Sequence, residues 1–345
     1  IMSYTNGLDN PELYFQTKLY TGNGGTQSIT FDGSENMQPD WVWIKNRDIA
    51  GNRHIITDSV TFSDRRATNE VSADESNNRV GSYDSDGFTL NSSSDQVNGS
   101  SSNYVAWNWK AGNSSGSSNS NGSITSTVSA NTTAGFSIVS YTGTASASTV
   151  GHGLGTIPSC YIVKNLSDTA GQSWNVYHHN LDSTPEDFTI FLNSTSAKSN
   201  EAVWNDTAPT SSVFSIGTAR KTNYNGDNYI AYCFAEKKGY SKFGSYTGNG
   251  NSDGTFVYTG FKPAFVIVKR TSAIKNWYMW DNKRDTSNDG ATSQLYANLS
   301  ASQDNGSYVD LLSNGFKLRN SSNGNDADSH IYMAFAESPF VNSNG

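Results

Sequence analysis

The strongest constraint on this chain is that three stretches of it carry one pattern. Tyr20-Thr21-Gly22-Asn23-Gly24 recurs as Tyr141-Thr142-Gly143-Thr144 and again as Tyr246-Thr247-Gly248-Asn249-Gly250. Each copy is followed by a proline and an apolar run that ends in lysine: Pro39 to Lys45, Pro158 to Lys164 and Pro263 to Lys269. Each closes on a run of one shape: Tyr104-Val105-Ala106-Trp107-Asn108-Trp109, Tyr229-Ile230-Ala231-Tyr232-Cys233-Phe234 and His330-Ile331-Tyr332-Met333-Ala334-Phe335. A spacing of roughly one hundred residues exceeds the 20–50 of a solenoid unit and matches a unit that buries its own core. The pattern predicts three tandem units strung out as a rod of modules.

Within each unit the apolar period is two. Trp41 and Trp43 share one face, as do Trp107 and Trp109, Tyr232 and Phe234, and Met333 and Phe335. A third run recurs at His54–Asp58, Trp174–His178 and Trp277–Asp281. A fourth follows Asp86-Gly87 and Asn314-Gly315, dipeptides that favour hairpin turns. No dozen residues keep a helical stripe, so parallel α/β folds with their crossover helices are excluded. The fold class expected is all-β: three antiparallel β-sandwiches of jelly-roll type.

The boundaries follow from composition. Residues 1–14 read as a leader, 15–111 as repeat one, 112–134 as a Gly/Ser/Asn/Thr-rich linker, 135–237 as repeat two and 238–345 as repeat three. The stretch from Gly112 to Ser123 holds no apolar residue and predicts a flexible tether. Repeat three follows repeat two almost without a gap, so those two are expected to pack more rigidly than one and two.

Charge and cysteine usage narrow the function classes. Charged residues are only 16% of the chain and aromatics 12%, against disorder. The net charge of −8 comes with no basic cluster, so nucleic acid is not an expected partner. No apolar run is long enough to span a membrane as a helix, so no membrane insertion is expected. The first residues lack the pattern of a signal peptide, which predicts synthesis in a cytoplasm and delivery by another route. Cys160 and Cys233 have no cysteine counterparts in the other repeats, which predicts free, buried thiols rather than a framework.

Several runs could carry chemistry. Asp84-Ser85-Asp86-Gly87 has the core of a calcium loop, but its twelfth position is Asp95 rather than glutamate, so a hairpin turn is the expected reading. Gly151-His152-Gly153-Leu154-Gly155 lacks the dinucleotide spacing and predicts a tight loop. His178-His179 has no partner spacing for zinc and is expected at a strand end on the surface. Asp58 and Asp281 recur with the repeat while His178 stands there in repeat two, which marks the position as structural. No nucleophile motif occurs. The expectations are no catalytic residues, no metal, no cofactor and no enzyme activity.

Most tryptophans alternate along strands and read as core. Aromatic residues in non-repeating, polar text are the better carbohydrate platforms, since a sugar stacks its C–H face on a ring while amides and carboxylates bind its hydroxyls. Those candidates are Trp204 with Asn205 and Asp206, and Tyr224 with Asp227.

The runs quoted above, with Pro39–Arg47, Ser85–Leu90, Tyr104–Lys110, Ala134–Tyr141 and Val150–Pro158, resemble a domain repeated in virion proteins of marine tailed bacteriophages. The resemblance covers all three repeats. It implies lectin-type, concanavalin-like sandwiches placed in tail fibres, spikes or other particle appendages. Its implied partners are other virion proteins, a further copy of the chain and host-surface carbohydrate, with the virion as location. The alternatives are a capsid or tail decoration protein without a ligand and, further off, a polysaccharide depolymerase. A typical tail fibre shows an N-terminal attachment domain or a coiled-coil shaft, and this sequence shows neither, which points toward a smaller decoration, tail-tip or capsid-surface role.

Overall fold

The computed structural model describes residues 8–62, 66–72, 79–285 and 292–338. The first seven residues of the leader and the end of repeat three beyond 338 lie outside the described residues. Within them nearly all of the regular structure is strand, paired antiparallel in every named ladder.

One topology is built three times. In repeat one the main sheet runs Phe15–Thr21, Asn103–Trp109, Trp41–Asn46, Ile55–Asp58, Arg66–Ala67. Repeat two sets Phe136–Thr142, Asn228–Phe234, Cys160–Asn165 and Asn175–His178 in the same order. Repeat three does so with Ser241–Thr247, Ser329–Phe335, Phe265–Arg270 and Trp277–Asp281. A small sheet covers one face of each: Thr26–Thr30, Gly87–Asn91 and Val80–Asp84 in the first, Ser148–Gly151 with Val213–Ile216 in the second, and Phe256–Tyr258, Gly315–Leu318 and Val309–Leu312 in the third. Each sandwich encloses its own cluster, around Phe88, Phe214 and Phe316 respectively.

The recurring Tyr-Thr-Gly is explained by this packing. Tyr20 and Tyr141 donate their hydroxyls to loop carbonyls, of Val97 at 2.6 Å and Thr222 at 2.8 Å, and Tyr246 does so to Gly324. The glycine then passes so close to the same loop that a Cβ would sit 2.3 Å from the oxygen of Gly99 at Gly22, 2.2 Å from that of Tyr224 at Gly143 and 2.1 Å from that of Asp326 at Gly248. Only glycine fits.

The repeats do not form a rod. A fourth cluster, the largest, takes residues from all three: Trp41, Trp107 and Trp109, then Phe136, Cys160, Tyr232 and Phe234, then Phe243, Phe265 and Phe335. The rings touch across the boundaries, with Trp41 to Tyr232 at 4.7 Å, Phe234 to Phe335 at 5.8 Å and Trp107 to Phe265 at 5.5 Å between centroids. The physical reason lies in the lysine-terminated strands. Trp41–Asn46 and Cys160–Asn165 are buried at every position, so both faces of the sheet are covered, one by the small sheet and one by the other repeats. All eight tryptophans are buried.

The seams close into a ring. Asp58, His178 and Asp281 hold one register position, opposite Trp41, Cys160 and Phe265. Asp58 accepts from the hydroxyl of Tyr232 in repeat two at 2.8 Å. His178 Nε2 lies 3.1 Å from the carbonyl of Tyr332 in repeat three. Asp281 accepts from Trp107 Nε1 in repeat one at 3.0 Å. Each repeat thus reaches the next, and the third reaches the first, as in a closed cyclic trimer written on one chain. Main-chain bonds repeat the scheme, from Gln172 N to Val71 O, Lys275 N to Thr195 O and Gly51 N to Ser300 O. Two of the three recurring lysines belong to it as well: Lys164 Nζ donates to Val71 O at 2.8 Å and Lys269 Nζ to Thr195 O at 2.9 Å, whereas Lys45 Nζ donates to Asn46 O within repeat one at 2.6 Å.

Three expectations are corrected here. Residues 112–134 are not a tether, because Ser117–Asn119 and Ser126–Asn131 extend the main sheet of repeat two. Ser117–Asn119 is the edge, and Ser126–Asn131 beside it needs only one apolar face, which Val128 supplies. His178 is not on the surface but fully buried at a seam. Repeat one is no looser partner than the others, since it contacts both.

Candidate functional site

The three repeats invite a position-by-position comparison, and one position departs. The Tyr-Thr-Gly tyrosine stacks on the first aromatic of the closing strand in every copy: Tyr20 on Tyr104 at 5.0 Å, Tyr141 on Tyr229 at 5.1 Å and Tyr246 on His330 at 5.1 Å. In repeats one and two the second ring is a hub. Tyr104 Oη accepts from Gly99 N at 2.7 Å and Asn46 Nδ2 at 3.2 Å and donates to Asp95 O at 2.9 Å. Tyr229 Oη accepts from Tyr224 N at 2.7 Å and Asn165 Nδ2 at 3.0 Å and donates to Arg220 O at 2.8 Å.

Repeat three replaces both the tyrosine and the asparagine, with His330 and Arg270. His330 is buried, and its Nδ1 lies 2.9 Å from the carbonyl oxygen of Asp328. A carbonyl only accepts, so Nδ1 carries the proton and Nε2 presents a lone pair. That Nε2 is buried and has no partner in the protein. Burial, above all, lowers the imidazole pKa to about 4, so the ring is neutral near pH 7.

A groove of about 570 Å³ lies at the seam between repeats two and three, along the strand that carries His330, whose ring points to the other face of the sheet beside Tyr246. Asp182 and Lys198 form one wall, and Ser245, Thr247 and Ser272 stand on the other. The charges at this groove are paired off. Lys198 bonds Asp182 and holds its carboxyl at about 2. Ser272 and Arg270 both donate to Asp328, the hydroxyl most strongly, and hold it at about 2 as well. Lys275 and Arg270 share Asp326 at 3.0 and 3.5 Å. What remains to face a ligand is a set of hydroxyls and fixed ion pairs.

The carbohydrate candidates read from the sequence fare differently. Trp204 cannot be a platform: its ring is fully buried, edge-on to Tyr161 at 4.8 Å, and its Nε1 donates to Phe188 O at 3.0 Å. It ends a short 3-10 turn, Ala202–Trp204, whose apolar side faces the core of repeat two. Asn205 and Asp206 are exposed just after it, in left-handed backbone with φ of 55° and 44°. Tyr224 is 44% exposed, and the Arg220 guanidinium covers one face of its ring at 4.4 Å. Asp227 accepts from Asn165 Nδ2 at 2.8 Å, so it serves the Tyr229 hub. Thr222 Oγ1 bonds Val203 O at 3.2 Å and joins the two segments, but Trp204 faces inward and Tyr224 outward.

The remaining motifs are structural. Asp84 accepts from Ser82 and Thr89 beside the turn that joins Val80–Asp84 to Gly87–Asn91. His152 bonds Thr210 O at 3.1 Å and takes the Leu154 amide at 3.2 Å, inside a loop where Gly153 and Gly155 have φ near 70°. Among the described residues no group of three or more His, Cys, Asp or Glu could hold a metal ion. Cys160 and Cys233 are free, and they lie on opposite faces of the sheet, one in the central cluster and one in the core of repeat two.

The groove residues were missed because each is an ordinary Ser, Thr, Asp or Lys in a chain full of them.

A family model described as a domain of unknown function (DUF7483) matches residues 10–339 as one unit. No curated protein and no solved structure matches the chain.

Proposed function

The chain belongs to the DUF7483 family, and we propose that it is a non-enzymatic structural subunit on the surface of a tailed-phage particle, in a tail fibre, spike or other appendage, where it holds a host-surface glycan. The observation that carries the structural part is the closed ring of three repeats. A subunit exposed on a particle must keep its shape under load, and a ring whose repeats bury a common core and clasp head to tail does so without partner chains. The resemblance of the repeats to virion domains supplies the setting. The two recurring acids speak against the depolymerase alternative: Asp58 is tied to Arg66 at 2.6 Å and Asp281 to Arg284 at 2.6 Å, all four side chains almost fully buried. A glycosidase pair must instead flank an open cleft.

Mass spectrometry and immunogold labelling of purified particles test this reading. Expected is a fixed copy number per particle and label on its surface. Detection only in the soluble lysate of infected cells overturns it. Presence on particles with no carbohydrate binding leaves the ligand-free decoration alternative.

A further inference from the structure

We infer that repeat three carries a docking edge for a second copy of the chain, in which Phe256–Tyr258 pairs antiparallel with the same strand of the partner subunit about a two-fold axis at Val257. The inference goes beyond the reading above and does not depend on the particle setting.

The first ground is an edge left open. Phe256–Tyr258 is the outermost strand of its three-stranded sheet and is bonded on one side, to Gly315–Leu318. Thr259 N donates to Asn314 O and Leu318 N to Thr255 O, both at 3.0 Å. The odd-numbered residues therefore bond inward, and the amides and carbonyls of Phe256 and Tyr258 turn outward. Among the described residues no strand pairs with them there. Register identifies the same place in repeat two: Val150 faces Phe214 as Val257 faces Phe316, so Thr149 and Gly151 match Phe256 and Tyr258. In repeat two that edge is taken. Ile124 N donates to Thr149 O at 3.0 Å and Ser126 Oγ to Gly151 O at 2.9 Å. The sandwich thus accepts an extended segment at this edge, and among the described residues repeat three supplies none.

The second ground is the side chains. The matching outer positions hold Ser28 and Thr30 in repeat one, and Thr149 and Gly151 in repeat two. Repeat three alone places aromatic rings there, with Phe256 43% and Tyr258 64% exposed. Natural edge strands are kept from sticking by short length, charge or proline, and two exposed rings on an open edge do the reverse.

The third ground is self-complementarity, which selects the occupant. In the two-fold pairing Phe256 lies opposite Tyr258 of the partner subunit, and the two exchange amide and carbonyl in both directions. Their rings then stand side by side as a favourable cross-strand pair. Val257 keeps its place in the core of its own sandwich. Such an isologous contact closes at two copies and does not propagate.

Sedimentation velocity of the full chain over a concentration series tests this. Expected is a reversible dimer, weak because the contact is small. Tyr258→Lys puts a charge on the edge and is expected to return the chain to monomer. Tyr258→Pro removes an outward amide and no bond of its own sheet, and decides the matter if circular dichroism shows the lysine variant unfolded. Thr30→Lys, at the matching position of repeat one, is expected to leave the dimer intact. Disulfide trapping between Phe256→Cys and Tyr258→Cys chains reads the register, since the two native cysteines are buried. Opposed residues of a hydrogen-bonded pair lie about 5.5 Å apart at Cα, within disulfide reach, while like residues, two places out of register, lie about 8 Å apart. Cross-linked dimers are therefore expected from a mixture of the two variants and not from either alone. A monomer at millimolar concentration, a dimer that Tyr258→Lys retains or Thr30→Lys loses, or equal cross-linking in the mixture and in each variant alone overturns the inference.

Discussion

Two seams of the ring are clasped by charge and one is not. At the seams from repeat one to two and from three to one, a buried carboxylate is held by an arginine of its own repeat and by a donor of the neighbour, Tyr232 or Trp107. At the seam from two to three the same register position holds His178, bonded to a main-chain carbonyl, with the soft contact of Cys160 Sγ to Met333 Sδ at 3.8 Å beside it. The ring therefore demands a polar side chain that reaches the next repeat, and leaves its chemistry free. The difference has an energetic side. A buried ion pair adds little when complete and costs much when broken, because the surviving partner is stranded. A neutral imidazole strands no charge.

The largest effect expected from breaking this contrast is at Asp58. Asp58→Ala removes the buried carboxylate that Arg66 and Tyr232 both meet and is expected to cost about 3–5 kcal/mol of stability, read from urea unfolding. A loss below about 1 kcal/mol would show that the clasp is not buried in solution.

His178→Leu comes next, at about 1–3 kcal/mol, since two neutral hydrogen bonds are lost, the one to the carbonyl of Tyr332 and the one accepted from Asn180 N. If this variant suffers as much as Asp58→Ala, the distinction between charged and neutral seams is wrong.

A pH series sharpens the same comparison. Burial lowers His178 from its ordinary 6.5 to about 3, and His330 from 6.5 to about 4. Between those values and 6.5 the unfolded chain binds more protons than the folded one, so both groups withdraw stability as pH falls through that window. Glu337 has the opposite sign: burial raises it to about 7 from 4.5, and it adds stability as pH falls from 7 to 4.5. The expected outcome is that His178→Leu loses less stability between pH 6.5 and 4 than the parent chain does, measured by urea midpoints. An identical slope in both would mean that His178 is not buried as a neutral ring.

The smallest effect is expected at Tyr224, outside every seam. Tyr224→Ala removes a half-exposed ring and its Arg220 contact, worth about 0.5–1 kcal/mol. Thermal unfolding reads it. A loss as large as that of His178→Leu would show that loop contacts weigh as much as the seams.

Much of the fold was legible because the strands repeat. Trp41 and Trp43, or Tyr232 and Phe234, reveal the period of two locally, and seeing it three times removes ambiguity. The ring was legible only in part. Val42 and Ile44 fill the face between the two tryptophans, as Tyr161 and Val163 fill that between Cys160 and Ile162, and a strand apolar on both faces is covered on both faces. That pattern announces a second layer without saying what supplies it. Trp204 misled for the opposite reason: its polar neighbours mark an exposed turn, while the turn geometry rotates the ring inward.

The sequence by itself determined the antiparallel strands, their threefold recurrence and the fixed glycine and tyrosine of each copy, because these depend on local backbone geometry and on side-chain period. Only the tertiary structure decided that the repeats close on one another, that His178 and two of the strand-end lysines sit at seams, and that the strand carrying His330 borders a groove. Those facts depend on which sheet faces meet. Residues that bond across a seam are far apart in the chain, 74 positions for Lys269 and Thr195 and 174 for Asp58 and Tyr232, and no local pattern records such a pairing.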